Sequence, residues 1–355
     1  MSQLHRIEAK EIEDRYARGW HCIGLAEEYK DGKAHTLDIF GTKLVAYQGE
    51  DKQIHILDGY CPHMGADLSK GCIEGNSIRC PFHDWRWDSD GKCDDIPYAK
   101  RIPRKAQIKS WPICEQNNLL FIWNDPEGNP PIEEQAIPRV EACFSDEWAD
   151  WEVANLTINT NCRELIDNIA DKAHFGPVHD APNKFFSNRF EAHVAEQTMI
   201  GNSPRLSGEA DLKTVATYYG PAYQITEMTG EMDGMPIHSI LLNCHVPIDR
   251  DSFQLRYGVL VQKVPGLSDE QNREIAQGYI QLAQEAFFED VAIWDTKVRV
   301  DNPILCDGDG PVYQLRKWYD QFYTDIADVK EELKERQYFE YVEESKKEAL
   351  EAEPA

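Results

Sequence analysis

The chain has 355 residues, 41% hydrophobic and 28% charged, enough to bury a sizeable core in two domains or one large one. Lysine and arginine number 37 against 63 aspartates and glutamates, and the net charge of −26 argues against nucleic acid or an anionic membrane as a partner. Ten irregularly spaced cysteines do not make a secreted disulfide framework, residues 1–18 are charged throughout, and no run approaches the roughly eighteen apolar residues of a spanning helix. A cytoplasmic protein is expected. Its acidity reads first as solubility and second as steering of a cationic patch on a redox partner.

Strand-like runs at 19–24, 43–47, 54–57 and 119–123 alternate with turn signals and predict a small all-β module over 20–127. A helical segment is expected before it, over 1–19. The breaker-rich stretch Asn124–Pro131 closes the module. The remainder, 128–355, reads as α+β, with strands near 151–160, 222–230, 236–247 and 252–263 and helical periodicity over 163–174, 269–299 and 311–337. The acid-rich end beyond Asp328 reads as a solvated helix or a frayed tail.

Two short segments in the β module carry metal-ligand chemistry: Cys61-Pro62-His63 and Cys80-Pro81-Phe82-His83. Two thiolates with two imidazoles suit either structural zinc or a [2Fe-2S] centre in which histidines replace two cysteines. Zinc fingers usually pair cysteine with cysteine and histidine with histidine along the chain. Here each loop supplies one of each, so each loop can give a thiolate to one iron and an imidazole to the other, which favours a Rieske cluster. The other eight cysteines, Cys72 and Cys93 included, read as small buried hydrophobes.

A second set lies at 168–179. Asp171 and His174 are three apart on a predicted helix and share a face, while Gly176-Pro177 is expected to break that helix and bring His179 beside His174. Two histidines and a carboxylate form the facial triad of non-haem Fe(II) oxygenases. The helix over 271–297 offers Glu289, Asp290 and Asp295. Asp290 falls within an apolar stripe of Tyr279, Ala283, Ala286, Phe287, Ile293 and Trp294, whereas Asp295 lies about 140° and Glu289 about 100° away. A carboxylate in an apolar stripe is costly unless it is paired or binds metal, so Asp290 is the expected third ligand and Asp295 the fallback.

Together these segments resemble the paired motifs of the Rieske non-haem iron oxygenases. Within that family the likeness is greatest to oxygenase components of 3-ketosteroid 9α-hydroxylases, carried by residues 61–69, 80–87 and 311–319, with Asp84 where many relatives have glycine. It covers roughly 20–330. The resemblance implies a Rieske [2Fe-2S] domain followed by a helix-grip-like α+β catalytic domain built on an antiparallel sheet. It also implies a mononuclear Fe(II), a homotrimer, and Asp171 linking the cluster of one subunit to the iron of the next, with Asn168 near the iron. The implied activity is steroid hydroxylation with O2, fed by a separate flavin and iron–sulfur reductase; a sterol desaturase, an O-demethylase and a non-enzymatic electron carrier are the rivals. No Gly-x-Gly-x-x-Gly follows a strand, so nicotinamide is expected to act on the reductase.

Overall fold

The computed structural model describes residues 4–11, 15–204, 208–232 and 235–342. Ten short strands build the first unit: β1 (Gly19–Leu25), β2 (His35–Ile39), β3 (Thr42–Gln48), β4 (Ile54–Asp58), β5 (Cys72–Glu74), β6 (Ser77–Arg79), β7 (Arg86–Trp87), β8 (Cys93–Asp95), β9 (Ile113–Gln116) and β10 (Leu119–Asn124). They form three antiparallel sheets, ordered β1-β10-β9, β2-β3-β4 and β5-β6-β7-β8. The four expected strand runs fall in β1, β3, β4 and β10.

The second unit contains β11 (Glu152–Ile158), α1 (Arg163–Asp167), α2 (Phe175–His179), β12 (Asn183–Glu191), β13 (Val194–Asn202), β14 (Asp211–Tyr219), β15 (Tyr223–Met232), β16 (Met235–Pro247) and β17 (Phe253–Val261). After these come α3 (Asp269–Trp294), α4 (Val312–Asp320) and β18 (Gln337–Val342). Its strands make one eight-stranded antiparallel sheet, β11-β17-β16-β15-β14-β13-β12-β18. The chain is thus α+β, as expected.

The two units share a core. Successive residues of a strand face opposite sides. Accordingly Trp20 and Cys22 of β1 and Leu119, Phe121 and Trp123 of β10 pack toward Tyr223, Leu242 and Cys244 of the large sheet. The intervening Ile23, Leu120 and Ile122 pack with β2, β3 and β4. This doubly buried ribbon explains why β1 and β10 read as continuous apolar runs.

Helix α3 opens with a capping box: the Ser268 side chain accepts from the Gln271 N–H at 3.2 Å, and Gln271 accepts from the Ser268 N–H at 2.9 Å. It packs on β11 and β17 through Ile280, Ala283, Phe287 and Val291.

Several expectations need correction. The described residues of 1–19 contain no helix before β1; residues 6–10 have no regular structure and are tied by hydrogen bonds to Asp301 and Asn302. Leu4 and Ile7 are exposed, so this segment has no apolar face for a helix to bury. Of the predicted helix over 163–174 only α1 forms, while α2 begins at Phe175; Gly176-Pro177 lies inside α2, where Pro177 in the first turn needs no N–H partner. The predicted 311–337 helix is α4 followed by short 3-10 turns, and 337–342 pair as β18 with β12. The expected solvated tail beyond 342 lies outside the described residues.

One buried pair joins the units. His21 of β1 and His245 of β16 are fully buried, and burial pushes their pKa values down to about 4 and about 3. The His21 Nε2–H donates to the Ala17 carbonyl at 3.1 Å, while neither ring nitrogen of His245 has a partner. Both rings are neutral in the fold, and in the unfolded chain they take up protons below about pH 6.5. Stability is therefore fully present above that pH and is lost as pH falls toward the folded values, by about 2 kcal/mol per histidine between pH 7 and pH 5. Urea unfolding of His245→Phe at the two pH values should show a pH-dependent loss smaller by about 2 kcal/mol than that of the parent.

Candidate active site and metal centres

The Cys61 and Cys80 loops are two copies of one turn. The Cys61 N–H donates to the Ala66 carbonyl at 2.9 Å and the Gly65 N–H to the Cys61 carbonyl at 2.8 Å. In the other loop, the Cys80 N–H donates to the Trp85 carbonyl at 2.8 Å and the Asp84 N–H to the Cys80 carbonyl at 3.1 Å. Gly65 and Asp84 occupy the same place in the turn, at φ +78° and +57°. Aspartate is among the few side chains that tolerate this left-handed backbone, which explains how Asp84 substitutes for glycine.

The turns bury both thiols and leave both imidazoles partly exposed. His63 and His83 have ring centroids 4.6 Å apart, and Trp85 stacks on His63 at 4.5 Å with an interplanar angle of 11°. Burial, with the neighbouring Cys80 thiol, pushes the Cys61 thiol up to about 11. The Trp87 indole N–H is buried in the same apolar cluster, directed at the Cys61 thiol. Paired thiols, paired imidazoles and an indole donor beside them fit a [2Fe-2S] cluster, whose sulfurs would accept that hydrogen bond. All ten cysteines are free thiols; of the other eight, Cys72 and Cys306 are exposed and Cys114 and Cys143 only half-buried, so the expectation of burial holds for the remaining four.

The second site is assembled from α1, α2 and α3. His174, His179 and Asp290 bring one possible ligand atom each within 4.8 Å of one another. His174 is the N-cap of α2 and His179 its last residue, and this short helix holds their rings 5.3 Å apart. The His174 Nδ1–H donates to the Asp171 backbone carbonyl at 2.5 Å, which directs its Nε2 toward the cluster. The Asp171 carboxylate stays partly exposed. The His179 Nδ1–H donates to Glu289 at 3.0 Å, while its Nε2 faces Asp290 at 3.4 Å. Burial disfavours the His179 imidazolium, but Asp290 and Glu289 outweigh burial and raise its pKa above the ordinary value.

Asn168 donates to the second oxygen of the buried Asp290 carboxylate at 3.1 Å. The structure places Asp290 beside the two histidines, whereas the fallback Asp295 is exposed at the C-cap of α3, away from them. Sequence reasoning weighed Glu289 only as a rival ligand. Its place on the far nitrogen of His179 has a signal in hindsight, the adjacent acids Glu289-Asp290. Two ring nitrogens of fixed tautomer and a buried carboxylate fit a divalent transition metal.

The clamp behind the site was not foreseen. Arg316 of α4 donates to both oxygens of Asp167, at 3.0 and 2.5 Å, and to the Val300 carbonyl at 2.6 Å. Glu164 pairs with Lys297 at 2.5 Å and Arg299 at 3.0 Å, fixing α1 against the chain that leaves α3. At Gly310 an added Cβ would stand 1.8 Å from the Ala170 carbonyl, so only glycine lets this loop pass the turn leading to His174.

The cluster opens into a cavity of about 310 Å³ between the sheet and α3. Gln197, Met199 and Gly201 of β13 and Leu212, Thr214, Ala216 and Tyr218 of β14 line it at a spacing of two, the period of a strand face. Tyr279, Leu282, Ala283, Ala286, Phe287 and Asp290 line it from α3 at helical spacing. Of the expected stripe, Trp294 is buried below the cavity, whereas Ile293 is exposed.

Comparison with known proteins agrees with this layout. Residues 19–112 match the family described as Rieske [2Fe-2S] domain, and residues 122–323 match the 3-Ketosteroid 9alpha-hydroxylase C-terminal domain. A 3-ketosteroid-9-alpha-monooxygenase oxygenase component of Rhodococcus rhodochrous is 48% identical, over 96% of this chain and 91% of that one. Its counterpart in Mycobacterium tuberculosis is 43% identical, over 94% and 88%. A cholesterol 7-desaturase of Xenopus laevis is 27% identical, over 88% and 73%. Among solved structures, dicamba monooxygenase bound to dicamba has a TM-score of 0.70 at 20% identity, covering 87% of this chain and 98% of that one, a likeness of fold.

Fold and centres define an oxygenase with a Rieske [2Fe-2S] cluster and a mononuclear iron. More narrowly, the chain belongs to the family of 3-ketosteroid-9-alpha-monooxygenase oxygenase components.

The Glu289 contact makes a direct test. Glu289→Leu should weaken retention of the mononuclear iron about 10–100-fold while leaving the cluster's visible spectrum unchanged. Iron titration of the variant against the parent measures this; equal affinity would remove Glu289 from the metal site.

Proposed function

We propose that the chain hydroxylates a 3-ketosteroid at C9, as the oxygenase component of a multicomponent monooxygenase in steroid degradation. The observation that carries the reading is the His174, His179 and Asp290 cluster at the wall of a largely apolar cavity, in a chain that also bears the Cys61, His63, Cys80 and His83 loops. The substrate follows the names of relatives 43–48% identical to it.

The balance is C–H plus O2, two electrons and two protons giving C–OH and water, with NADH as the electron source through a separate flavin and iron–sulfur reductase. When bound, the cluster held by Cys61, Cys80, His63 and His83 relays single electrons, and the iron held by His174, His179 and Asp290 activates O2. The chain's own contribution is positional. The Asp171 carbonyl and Glu289 orient the two imidazoles, Asn168 orients Asp290, and the apolar walls exclude water from the reacting C–H bond.

The reading includes a homotrimer in the cytoplasm. The free state of all ten cysteines supports a reducing compartment, and no helix among the described residues is long and apolar enough to cross a membrane. In the trimer the part-exposed Asp171 carboxylate accepts a hydrogen bond from a cluster histidine of the neighbouring subunit while its carbonyl holds His174.

The test of function is turnover of a 3-ketosteroid panel with reductase and NADH. A 9α-hydroxylated product is expected; a ring alkene would move the chain to the sterol desaturases, where the Xenopus relative is named. Asp171→Asn keeps the carbonyl, so both metals should stay bound while transfer from reduced cluster to iron slows about 10–100-fold. Rapid-mixing single turnovers read this, and an unchanged rate at full metal content would end the bridging role.

A further inference from the structure

In a chain with 63 acidic residues against 37 basic ones, Tyr98–Lys105 holds four cations, Lys100, Arg101, Arg104 and Lys105, and no acid. The segment leaves the end of β8 and returns where the Cys93 N–H meets the Ala106 carbonyl at 3.0 Å and Lys92 bridges Gln107. Its base is fixed and the loop is exposed. Among the described residues, none of these four cations forms an ion pair within 4.0 Å. Several other cations of the unit are paired locally: Arg79 on Glu74 and Asp95, Arg86 on Glu74 and Asp94, and Lys43 on Asp67. Lys109 lies over the Trp111 ring.

The loop also touches the cluster loops. The Tyr98 hydroxyl accepts from the Trp85 indole N–H at 2.7 Å, and Trp85 stacks on His63. Tyr98 is 63% exposed, and Phe82 and Met64 at the tips of the two cluster loops are 59% and 65% exposed. Unpaired cations around exposed aromatic and methionine side chains have the make-up of a protein-docking patch, in which charge steers and a small apolar centre seals.

We propose that the loop Tyr98–Lys105 is the docking surface for an acidic face of the electron-donating reductase, and that electrons enter on the His63 side, past Tyr98 and Trp85. The proposal rests on the oxygenase reading above. It reverses the expectation from overall charge: the chain as a whole would draw a cationic partner, but the surface beside the cluster draws an anionic one. Charge complementarity selects the partner, because the net negative charge of the chain repels an acidic protein while four clustered cations with no acid among them attract it at this loop.

The experiment uses metal-loaded protein, NADH and the reductase component of a 3-ketosteroid-9-alpha-monooxygenase. The variant K100E/R101E/R104E/K105E should raise the KM for reductase about tenfold or more at low salt and flatten the decline of rate with added NaCl. The paired neutralisation K100Q/K105Q should give a smaller shift in the same direction. Reduction of the cluster by dithionite, single-turnover product from the chemically reduced variant and mass by light scattering should match the parent. An unchanged KM for reductase would overturn the proposal. A changed mass would overturn it too, assigning the loop to a contact between copies of this chain. Absence of steroid product from the chemically reduced parent would instead refute the oxygenase reading.

Discussion

The imidazole of His179 is held at both ends by consecutive carboxylates, Glu289 at Nδ1 and Asp290 facing Nε2. Neighbouring helix positions diverge by about 100°, so they meet the two nitrogens of one ring only when that ring lies across the helix face. This seats α2 on α3 and requires α3 to run beneath the site at a fixed rotation. The capping box at Ser268 and the contacts of Ala283 and Phe287 with β11 and β17 set that rotation. Polar chemistry at one turn of α3 therefore depends on apolar packing along the rest of it.

Asp290 is buried, and among the described residues no lysine or arginine pairs with it. A buried carboxylate with one amide donor and one imidazole is short of positive charge, and a divalent cation supplies it. Metal loading and local order are thus linked. The same shortage explains why cations appear one layer back: Arg316 on Asp167, and Lys297 and Arg299 on Glu164. They neutralise the acids of α1 without reaching the metal cluster, and they anchor the helix that carries Asn168. The segment 311–319, which identified the family in the sequence, has this structural task through α4: Leu315 and Trp318 are buried behind Arg316.

Local features were legible in the sequence and long-range pairing was not. The cluster ligands lie in two compact turns, and a spacing of two or three residues states their geometry. Asp290 was legible because a lone acid within a helical apolar stripe has few inexpensive explanations. Strands β13 and β14 were missed, since their cavity-facing positions mix Gln197 and Thr214 with Met199 and Leu212 and blur the apolar alternation. The place of Gly176-Pro177 was misread because proline in a first helical turn looks the same in sequence as proline in a break. Partners such as Arg316 with Asp167, 149 residues apart, leave no local trace.

The two centres obey opposite electrostatic rules. At the cluster loops the ligands are buried thiols, and without metal burial holds Cys61 in its protonated form, with its pKa near 11. Where His174, His179 and Asp290 meet, Asp290 and Glu289 raise the pKa of His179 against the pull of burial, so the surroundings favour positive charge, as a divalent cation held there would supply. A cluster held by the Cys61 and Cys80 loops would instead require the buried thiols to lose their protons. His63 and His83 stay partly exposed where the two thiols are buried, so electrons reaching a cluster held there would cross on the imidazole side.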